Sequence, residues 1–304
     1  MIICKKKEEI MGYVLALVAV FFWSFNIIIA SYFATSLSPF EIAFGRWFIA
    51  SLILTAMAWK DLRREKLRLF QNWQLVLWLA ITGIVLDNTL IYFAGRTASA
   101  IDMGLLDVTG PIFLVILTRI FLKVKISLQQ IVGLIIAVFG VLVIIMQGDL
   151  TQLANFNFVS GDFWMLLNTF CFAVYSLLQA KRPTEISQSA MLGATAIIGT
   201  VILLPSMLLE VSIPRLEAFN PEDLAVVVYL GIFNSVISYL AWNTALNKIG
   251  NVKTSIIYYL LPLFSGVEAY FLLGEQIYVS QLVGGLLVIF GIAMVSLHKR
   301  QKYG

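Results

Sequence analysis

Histidine, cysteine and charged residues are scarce in this chain, and each shortage excludes a class of function. The two cysteines, Cys4 and Cys171, cannot form a disulfide framework, and no metal-binding spacing is present. The only histidine, His298, lies at the end of the last apolar stretch, which argues against serine–histidine catalysis and multi-histidine metal chemistry. No phosphate-binding loop occurs. We therefore expect no metal and no cofactor.

The shortage of charge indicates a membrane protein. Charged residues make up 12% of the chain and hydrophobic residues 60%, whereas a soluble domain has about 25% charged residues. Stretches of about twenty apolar residues recur, each long enough to cross a bilayer as a helix. Ten such stretches lie at roughly 11–34, 40–59, 73–94, 100–121, 127–147, 160–180, 189–209, 222–246, 252–272 and 278–298. The sequence predicts an all-α, polytopic membrane protein surrounded by lipid.

The positions of the basic residues predict the orientation. All but three of the 21 lysines and arginines lie at the termini or in gaps on one side; the exceptions are Arg46, Arg96 and Arg215. By the positive-inside rule both termini are cytoplasmic. The basic start before the first apolar run resembles a secretory signal, but the run is long and has no clear cleavage site, so we interpret it as a retained helix. The expected location is a bacterial inner (cytoplasmic) membrane, and the net charge of +4 is no evidence for a nucleic-acid partner.

The chain contains an internal repeat. Residues 111–140 match residues 262–291 at nine of thirty positions, including Pro111 with Pro262 and Gln130 with Gln281. The predicted units are residues 1–148 and 149–304, with five spans each. Because five is odd, the second unit must cross the membrane in the opposite sense. Inverted repeats are a common architecture of secondary transporters, with the site near the midplane where the halves meet. A duplicated membrane scaffold without transport is the alternative.

Four charged residues inside the predicted spans are candidates for coupling or for an ion pair. Arg46, Asp87 and Asp107 lie at a similar depth, about 10 Å below the outer edge at the helical rise per residue. Glu268 lies nearer the outer end of the ninth span. Charges within a bilayer are costly and usually functional. We expect Arg46 to form a structural ion pair with an aspartate, and Asp87 or Asp107 to bind a proton or an amine.

Polar and aromatic side chains form matched stripes on the first, third and fourth spans and on the sixth, eighth and ninth. A shift of 149 residues aligns the first span with the sixth, and a shift of 151 aligns the others. The simplest alternative is that these side chains hydrogen-bond between packed helices. We favour a central cavity and a small-molecule substrate. The predicted substrate-binding residues are Trp23, Asn26, Asp87, Asp107, Asn168, Tyr175, Asn234, Ser238, Trp242, Tyr258 and Tyr259.

Glycines spaced seven apart mark the fifth and tenth spans as packing elements. Gly133 and Gly140 correspond to Gly284 and Gly291. Small residues let helix backbones approach closely. A surface for a second copy, giving a homodimer, is one use that these faces could have.

Several motifs resemble a known family. The first half has Gly12 to Trp23 followed by Asn26, then Ser38-Pro39 and Arg46-Trp47, and the second half has Ala245-Leu246, Gly250-Asn251-Val252, Leu261-Pro262, Gly274-Glu275, Gln281, Gly284 and Gly291. This set resembles the ten-helix EamA-type family of the drug/metabolite transporter superfamily. The resemblance implies two inverted five-helix repeats around a central cavity and the export or uptake of small metabolites such as amino acids. The first half departs from the pattern, with Val124 in the position of Glu275 and acids at Asp102 and Asp107.

The sequence thus predicts a secondary transporter and no enzyme. The substrate would be a small polar metabolite, such as an amino acid or an amine derivative, moved by alternating access, with proton coupling left open. The alternatives are an intramembrane enzyme or a scaffold without transport. Asp87 and Asp107 lack the Gly-Asp pattern of intramembrane aspartyl proteases. Flux in liposomes against peptide cleavage in detergent distinguishes these classes.

Overall fold

The chain folds into membrane-spanning helices. The structure is a computed structural model that describes residues 2–33, 37–98, 100–147, 149, 151, 158–210, 221–274 and 278–297. Within these ranges ten helical spans are long and apolar enough to cross a membrane, which confirms the predicted fold class. The predicted boundary residue Gly148 and the single histidine, His298, lie outside the described residues, as does the side chain of Cys4.

The helices are numbered α1 to α14 in chain order. The first half contains α1 (Ile2–Phe33), α2 (Pro39–Gln71), α3 (Trp73–Ala80), α4 (Asp87–Ala94), α5 (Ala100–Asp107), α6 (Thr109–Phe121) and α7 (Leu128–Ile145). The second half contains α8 (Ser160–Gln179), α9 (Gln188–Glu210), α10 (Pro221–Tyr229), α11 (Ser238–Ile249), α12 (Asn251–Ile257), α13 (Leu261–Leu273) and α14 (Val279–Leu297).

Four of the ten spans are assembled from more than one element. The third span joins α3 to α4 through the π-helical segment Ile81–Leu86, and the eighth joins α10 to α11 through the π-helical segment Leu230–Ile237. The fourth span is α5 followed by α6, and the ninth joins α12 to α13 through a 3₁₀ turn, Tyr258–Leu260. Since the π-helical segments overlap under the shift of 151 residues, both halves carry the same local distortion. Such segments often occur at functional sites.

Side-chain caps explain why several helices begin where they do. Ser38 accepts a hydrogen bond from the Glu41 backbone N–H, and Glu41 accepts one from the Ser38 N–H, which forms a capping box ahead of Pro39. Gln130 closes the same kind of box at the start of the fifth span. Its equivalent, Gln281, accepts from the Tyr278 N–H at 3.1 Å at the start of the tenth. The repeated glutamine is therefore a helix cap.

The fifth and tenth spans pack against each other through their glycines. A Cβ atom on Gly140 would lie 2.7 Å from the Gly284 carbonyl oxygen, and one on Gly291 would lie 2.5 Å from the Gly133 carbonyl oxygen. Gly140 packs against Gly284, the equivalent of Gly133, and Gly133 packs against Gly291, the equivalent of Gly140. Two antiparallel copies of one helix make this reciprocal contact. The predicted packing role of these glycines lies within one chain. Their face is covered by the chain itself and is not open to a second copy.

The outer faces of the bundle are apolar. Large hydrophobic side chains such as Phe271 and Leu286 are 77% and 69% exposed. An apolar exterior of this extent is disfavoured in water and suits hydrocarbon. The buried polar residues lie instead between the spans.

Gly140→Ala is expected to lower the stability of the protein. The added methyl group meets backbone atoms of the tenth span, and overpacking of this kind costs about 1–3 kcal/mol. Gly104→Ala is the matched control, since its methyl group would make ordinary contacts with Ile145, 3.4 Å and further away. The measurement is the thermal unfolding of both variants in detergent. Equal midpoints for the two variants would contradict this packing.

Candidate functional site

Equivalent residues of the two halves touch each other at the centre of the molecule. Three hydrogen bonds each join residues that are 151 apart: Asn88 to Tyr239, Tyr258 to Asp107, and Tyr259 to the carbonyl oxygen of Val108. A residue can contact its own symmetry equivalent only close to the axis that relates them. The pseudo-two-fold axis between the halves therefore passes through the third, fourth, eighth and ninth spans at these contacts.

A small cavity lies beside this axis. Its volume is about 20 Å³, which suffices for roughly one water molecule, whereas ligand pockets usually measure about 300–1,000 Å³. The helices must separate before the cavity can admit a metabolite. The residues that line it are Asp87, Asp107, Gly110, Pro111, Leu114, Asn168, Thr169, Phe172, Ala173, Trp242, Ser255 and Tyr258.

One end of the cavity is formed by Asp87 and its hydrogen-bond donors. The Tyr239 hydroxyl donates to Asp87 Oδ2 at 2.8 Å and accepts from Asn88 Nδ2 at 2.9 Å. Asn168 donates to the Asp87 backbone carbonyl and lies 3.4 Å from Oδ1. Both carboxylate oxygens therefore face donors. The Tyr239 hydroxyl also lies 2.7 Å from the carbonyl oxygen of Gly83, inside the π-helical segment of the third span.

The other acidic group, Asp107, has fewer partners. The Tyr258 hydroxyl lies 3.4 Å from Asp107 Oδ1. Asp107 ends α5, directly before α6 begins at Thr109, so the break in the fourth span places its carboxylate in the cavity. A carboxylate with one long hydrogen bond in a small cavity is available to an additional donor, such as an ammonium group.

Aromatic rings form part of the cavity wall together with the aspartates. Trp23 lies 5.3 Å from both Phe172 and Trp242, measured between ring centroids, and 6.2 Å from Tyr258. Phe172 lies 6.0 Å from Tyr258. Since the faces of aromatic rings attract cations, rings and carboxylates together favour a positively charged group. The indole N–H groups are already used, by the carbonyl oxygen of Asn234 for Trp23 and by Ser176 for Trp242.

Arg46 is buried but does not form the expected ion pair. Its side chain is 2% exposed. Nε donates to the Ser235 hydroxyl at 2.9 Å, and Nη1 lies 3.5 Å from the Tyr92 hydroxyl. Across the described residues, no carboxylate contacts this guanidinium directly. Arg46 instead joins the second span to the π-helical segment of the eighth, and its charge acts on Asp87 through space.

The structure gathers about half of the predicted substrate-binding residues around the cavity. Asp87, Asp107, Asn168, Trp242 and Tyr258 line it, and Trp23 supports its aromatic wall. Tyr175, Ser238 and Tyr259 are buried and bond to Asn243, the Phe233 carbonyl oxygen and the Val108 carbonyl oxygen, respectively. Asn26 and Asn234 also lie off the cavity, and buried side-chain atoms of both have no hydrogen-bond partner in the described part of the chain.

Two important residues, Asn88 and Tyr239, were not predicted. Each directly follows a position that the sequence stripes selected, Asp87 and Ser238. The π-helical segments insert extra backbone before them, which rotates the following residues relative to a regular helix. Asn88 and Tyr239 are equivalent under the shift of 151 residues, and both are polar. This matched polar pair, one residue after Asp87 and Ser238, is the sequence signal that identifies them.

Equivalent contacts between packed spans lie near the two ends of the bundle, and we call them the two closures. At one end a Cβ atom on Gly12 would lie 2.6 Å from Ile249 Cγ2 and 3.0 Å from Lys248 Cβ. At the other end a Cβ atom on Gly161 would lie 2.6 Å from the Ala98 nitrogen and 2.7 Å from Thr97 Oγ1. A shift of 149 residues takes Gly12 to Gly161, and a shift of 151 residues takes Ala98 to Ile249, so the two contacts are equivalent.

The side chains around these two closures differ. Lys248 pairs with Glu8, and Lys253 pairs with Glu9 at 2.6 Å, at the closure that contains the start of the first span. The opposite closure has a hydroxyl contact of 3.2 Å between Thr97 and Ser160. One end is thus held by ion pairs and the other by an uncharged hydrogen bond.

Two inverted five-helix units around a polar cavity, with equivalent contacts near the two ends of the bundle, are typical of membrane transporters built from inverted repeats. The profile of the EamA-like transporter family matches residues 10–146 and 159–297. The chain belongs to the EamA-like transporter family, and the resemblance seen in its motifs is confirmed.

Several relatives that are named as transporters match most of this chain. An uncharacterized transporter of Archaeoglobus fulgidus is 26% identical over 280 residues, 92% of this chain and 95% of the relative. The uncharacterized transporter YyaM of Bacillus subtilis is 27% identical over 273 residues, 90% and 88% of the two chains. A probable terminal-alkyne amino-acid exporter of Streptantibioticus cattleyicolor is 28% identical over 215 residues, 71% and 70%.

A solved crystal structure has the same fold. It superposes with a TM-score of 0.74 at 15% sequence identity, over 94% of this chain and 96% of the other. At this identity the likeness shows the fold alone. Family membership and the ten apolar spans together identify this protein as a multi-pass membrane transporter.

Tyr239→Phe is expected to destabilise the protein by about 1–3 kcal/mol, because it leaves buried polar groups of Asp87 and Asn88 without their shared partner. Tyr270→Phe is the matched control, since Tyr270 is 45% exposed at the lipid-facing surface. Thermal unfolding in detergent measures both effects. A Tyr239→Phe midpoint equal to that of the control would contradict the network.

Proposed function

We propose that this transporter is a secondary carrier for a small zwitterionic or cationic metabolite, with amino acids and amine derivatives as the substrate class. The observation that carries this proposal is the composition of the cavity, in which two carboxylates, Asp87 and Asp107, face aromatic rings on the pseudo-two-fold axis. An ammonium group would bind the carboxylates and contact the rings.

The charge balance near the cavity supports a substrate with a positive group. Asp87 and Asp107 contribute two carboxylates. The buried cation Arg46 hydrogen-bonds to Ser235 and lies within 3.5 Å of the Tyr92 hydroxyl, so it does not neutralise them by direct contact. A cationic group between the two carboxylates offsets part of the cost of burying them. The relative from Streptantibioticus cattleyicolor, named as a probable amino-acid exporter, agrees with this class.

The two closures support alternating access. Inverted repeats exchange the conformations of their halves, so that a contact formed by one half on one side is formed by the other half on the other side. Gly12 against Ile249 and Gly161 against Ala98 are such a pair of contacts. Because both are formed in a structure whose cavity holds about one water molecule, we assign this conformation to the closed intermediate of the cycle.

The orientation is part of the proposal. We place both termini and the Glu8–Lys248 and Glu9–Lys253 pairs on the cytoplasmic side of a bacterial inner membrane, because the basic residues lie there. The Thr97–Ser160 closure then faces outward. The protein would move its substrate with energy from a gradient, and a homodimer remains a proposal for its assembly.

Asp87→Asn is expected to reduce transport at least about tenfold, since loss of one charge-assisted contact costs about 1.4 kcal/mol or more. The measurement is uptake of a panel of radiolabelled amino acids and amines into proteoliposomes. Asp149→Asn is the matched control, because Asp149 lies in an exposed loop and bonds to Thr151. Wild-type uptake by both Asp87→Asn and Asp107→Asn would contradict the proposed site.

Locking the outer closure is expected to stop transport. Thr97 and Ser160 have hydroxyl oxygens 3.2 Å apart, so the sulfur atoms of cysteines at both positions would lie close enough to be tested for cross-linking. In a background of Cys4→Ser and Cys171→Ala, oxidation of the double-cysteine variant should abolish uptake, and a reductant should restore it. The two single-cysteine variants are the controls. Full uptake by the cross-linked protein would contradict alternating access through this closure.

A further inference from the structure

Glu268 is buried between the first and ninth spans, away from the lining of the central cavity. Its side chain is 5% exposed. Oε1 lies 2.5 Å from the Ser24 hydroxyl oxygen, and Oε2 has no hydrogen-bond partner within the described residues. The Ser24 hydroxyl oxygen also lies 2.6 Å from the backbone carbonyl oxygen of Phe21. Three oxygen atoms therefore lie in a row at hydrogen-bonding distance.

The number of hydrogen atoms in this row distinguishes a protonated Glu268 from an ionised one. Two short oxygen–oxygen contacts need two hydrogen atoms between them, and the Phe21 carbonyl oxygen supplies none. The Ser24 hydroxyl supplies one. A protonated Glu268 carboxyl group supplies the second by donating to Ser24 while Ser24 donates to Phe21, whereas beside an ionised Glu268 the Ser24 hydroxyl can satisfy only one of its two acceptors.

The surroundings of Asp87 are different. Asp87 also faces a hydroxyl that lies near a backbone carbonyl, but Asn168 and Asn88 place N–H groups 3.4 Å and 3.3 Å from its two carboxylate oxygens. An ionised Asp87 keeps donors on both oxygens. An ionised Glu268 would have no N–H donor among the described residues and would leave two acceptors competing for the hydrogen of Ser24.

In the described part of the elements packed around Glu268, no side chain offers a positive charge. The first span contributes Ser24, and the eighth contributes Tyr229, whose buried hydroxyl has no hydrogen-bond partner among the described residues. Gln281 of the tenth span approaches the ninth span at Gly266. No lysine, arginine or histidine in the described ranges pairs with Glu268. The equivalent residue of the first half is Leu117, so the feature belongs to the second half alone.

We propose that Glu268 is a proton-binding site outside the central cavity, neutral in the closed conformation, which releases its proton when the first and ninth spans separate. A charged carboxylate at this position would lie in a membrane interior without a partner, which is costly. Separation of the two spans lets water reach the group and removes that cost. Glu268 therefore links proton release to opening of the half of the pathway that contains it. Only this link to the transport cycle rests on the proposed function.

The protonation state is tested by infrared spectroscopy of the purified protein at neutral pH. The C=O stretching band of a protonated carboxyl group, identified by its shift in D₂O, should be present in the wild type and lost in Glu268→Gln. Glu222→Gln, which changes an exposed glutamate at the start of the eighth span, should keep the band. Ser24→Ala should keep the band but move it to higher frequency, because the carboxyl group loses its hydrogen bond. Identical bands in the wild type and Glu268→Gln would overturn the proposal.

The coupling role is tested separately in proteoliposomes. Glu268→Gln should still exchange labelled for unlabelled substrate without a gradient, while its accumulation of substrate in response to a pH gradient falls to the level reached without one. Accumulation equal to that of the wild type would overturn the coupling role. If no amino acid or amine is transported by the wild type, the proposed substrate class fails, while the infrared result still decides the protonation of Glu268.

Discussion

The structure depends on the contacts that symmetry-equivalent residues make across the pseudo-two-fold axis. Hydrocarbon offers polar groups no partner, so those near the axis must bond to one another. Asn88 bonds to Tyr239, and Asp107 faces Tyr258. These contacts hold the third and fourth spans against the eighth and ninth, and they place carboxylates and rings around one small cavity. The contacts across the axis therefore determine both where the site lies and why it is polar.

This geometry also explains why the two halves differ in sequence. After a duplication, a residue on the axis faces its own copy, and two aspartates in contact would repel each other. In this chain the contacts on the axis instead join unlike groups: Asp107 with Tyr258, Asn88 with Tyr239, and the carbonyl oxygen of Val108 with Tyr259. Away from the axis the copies remain alike, as in the capping glutamines Gln130 and Gln281. Divergence at these contacts leaves Asp87 and Asp107 without acidic equivalents in the second half.

The sequence predicted the fold more completely than the site. Apolar length and the repeat were sufficient for ten spans, because both follow from bilayer thickness and from simple counting. The site depended on helical periodicity, which fails where the π-helical segments Ile81–Leu86 and Leu230–Ile237 interrupt the third and eighth spans. Asn88 and Tyr239 were missed for this reason. Arg46 was expected to pair with an aspartate at the same depth, but depth does not fix the direction of a side chain around a helix, and its partners are Ser235 and Tyr92.

The central claim, that two inverted halves open the cavity to one side at a time, is tested most directly by distances between spin labels. Arg96 and Phe158 flank one closure, and their equivalents, Asn247 and Glu9, flank the other. Pulsed electron paramagnetic resonance on each labelled pair, with and without substrate and across pH, reports the two openings separately. If the protein opens to one side at a time, conditions that lengthen the Arg96–Phe158 distance will shorten or preserve the Asn247–Glu9 distance, and the reverse. Distances that lengthen together, or that never change under any condition, would contradict it.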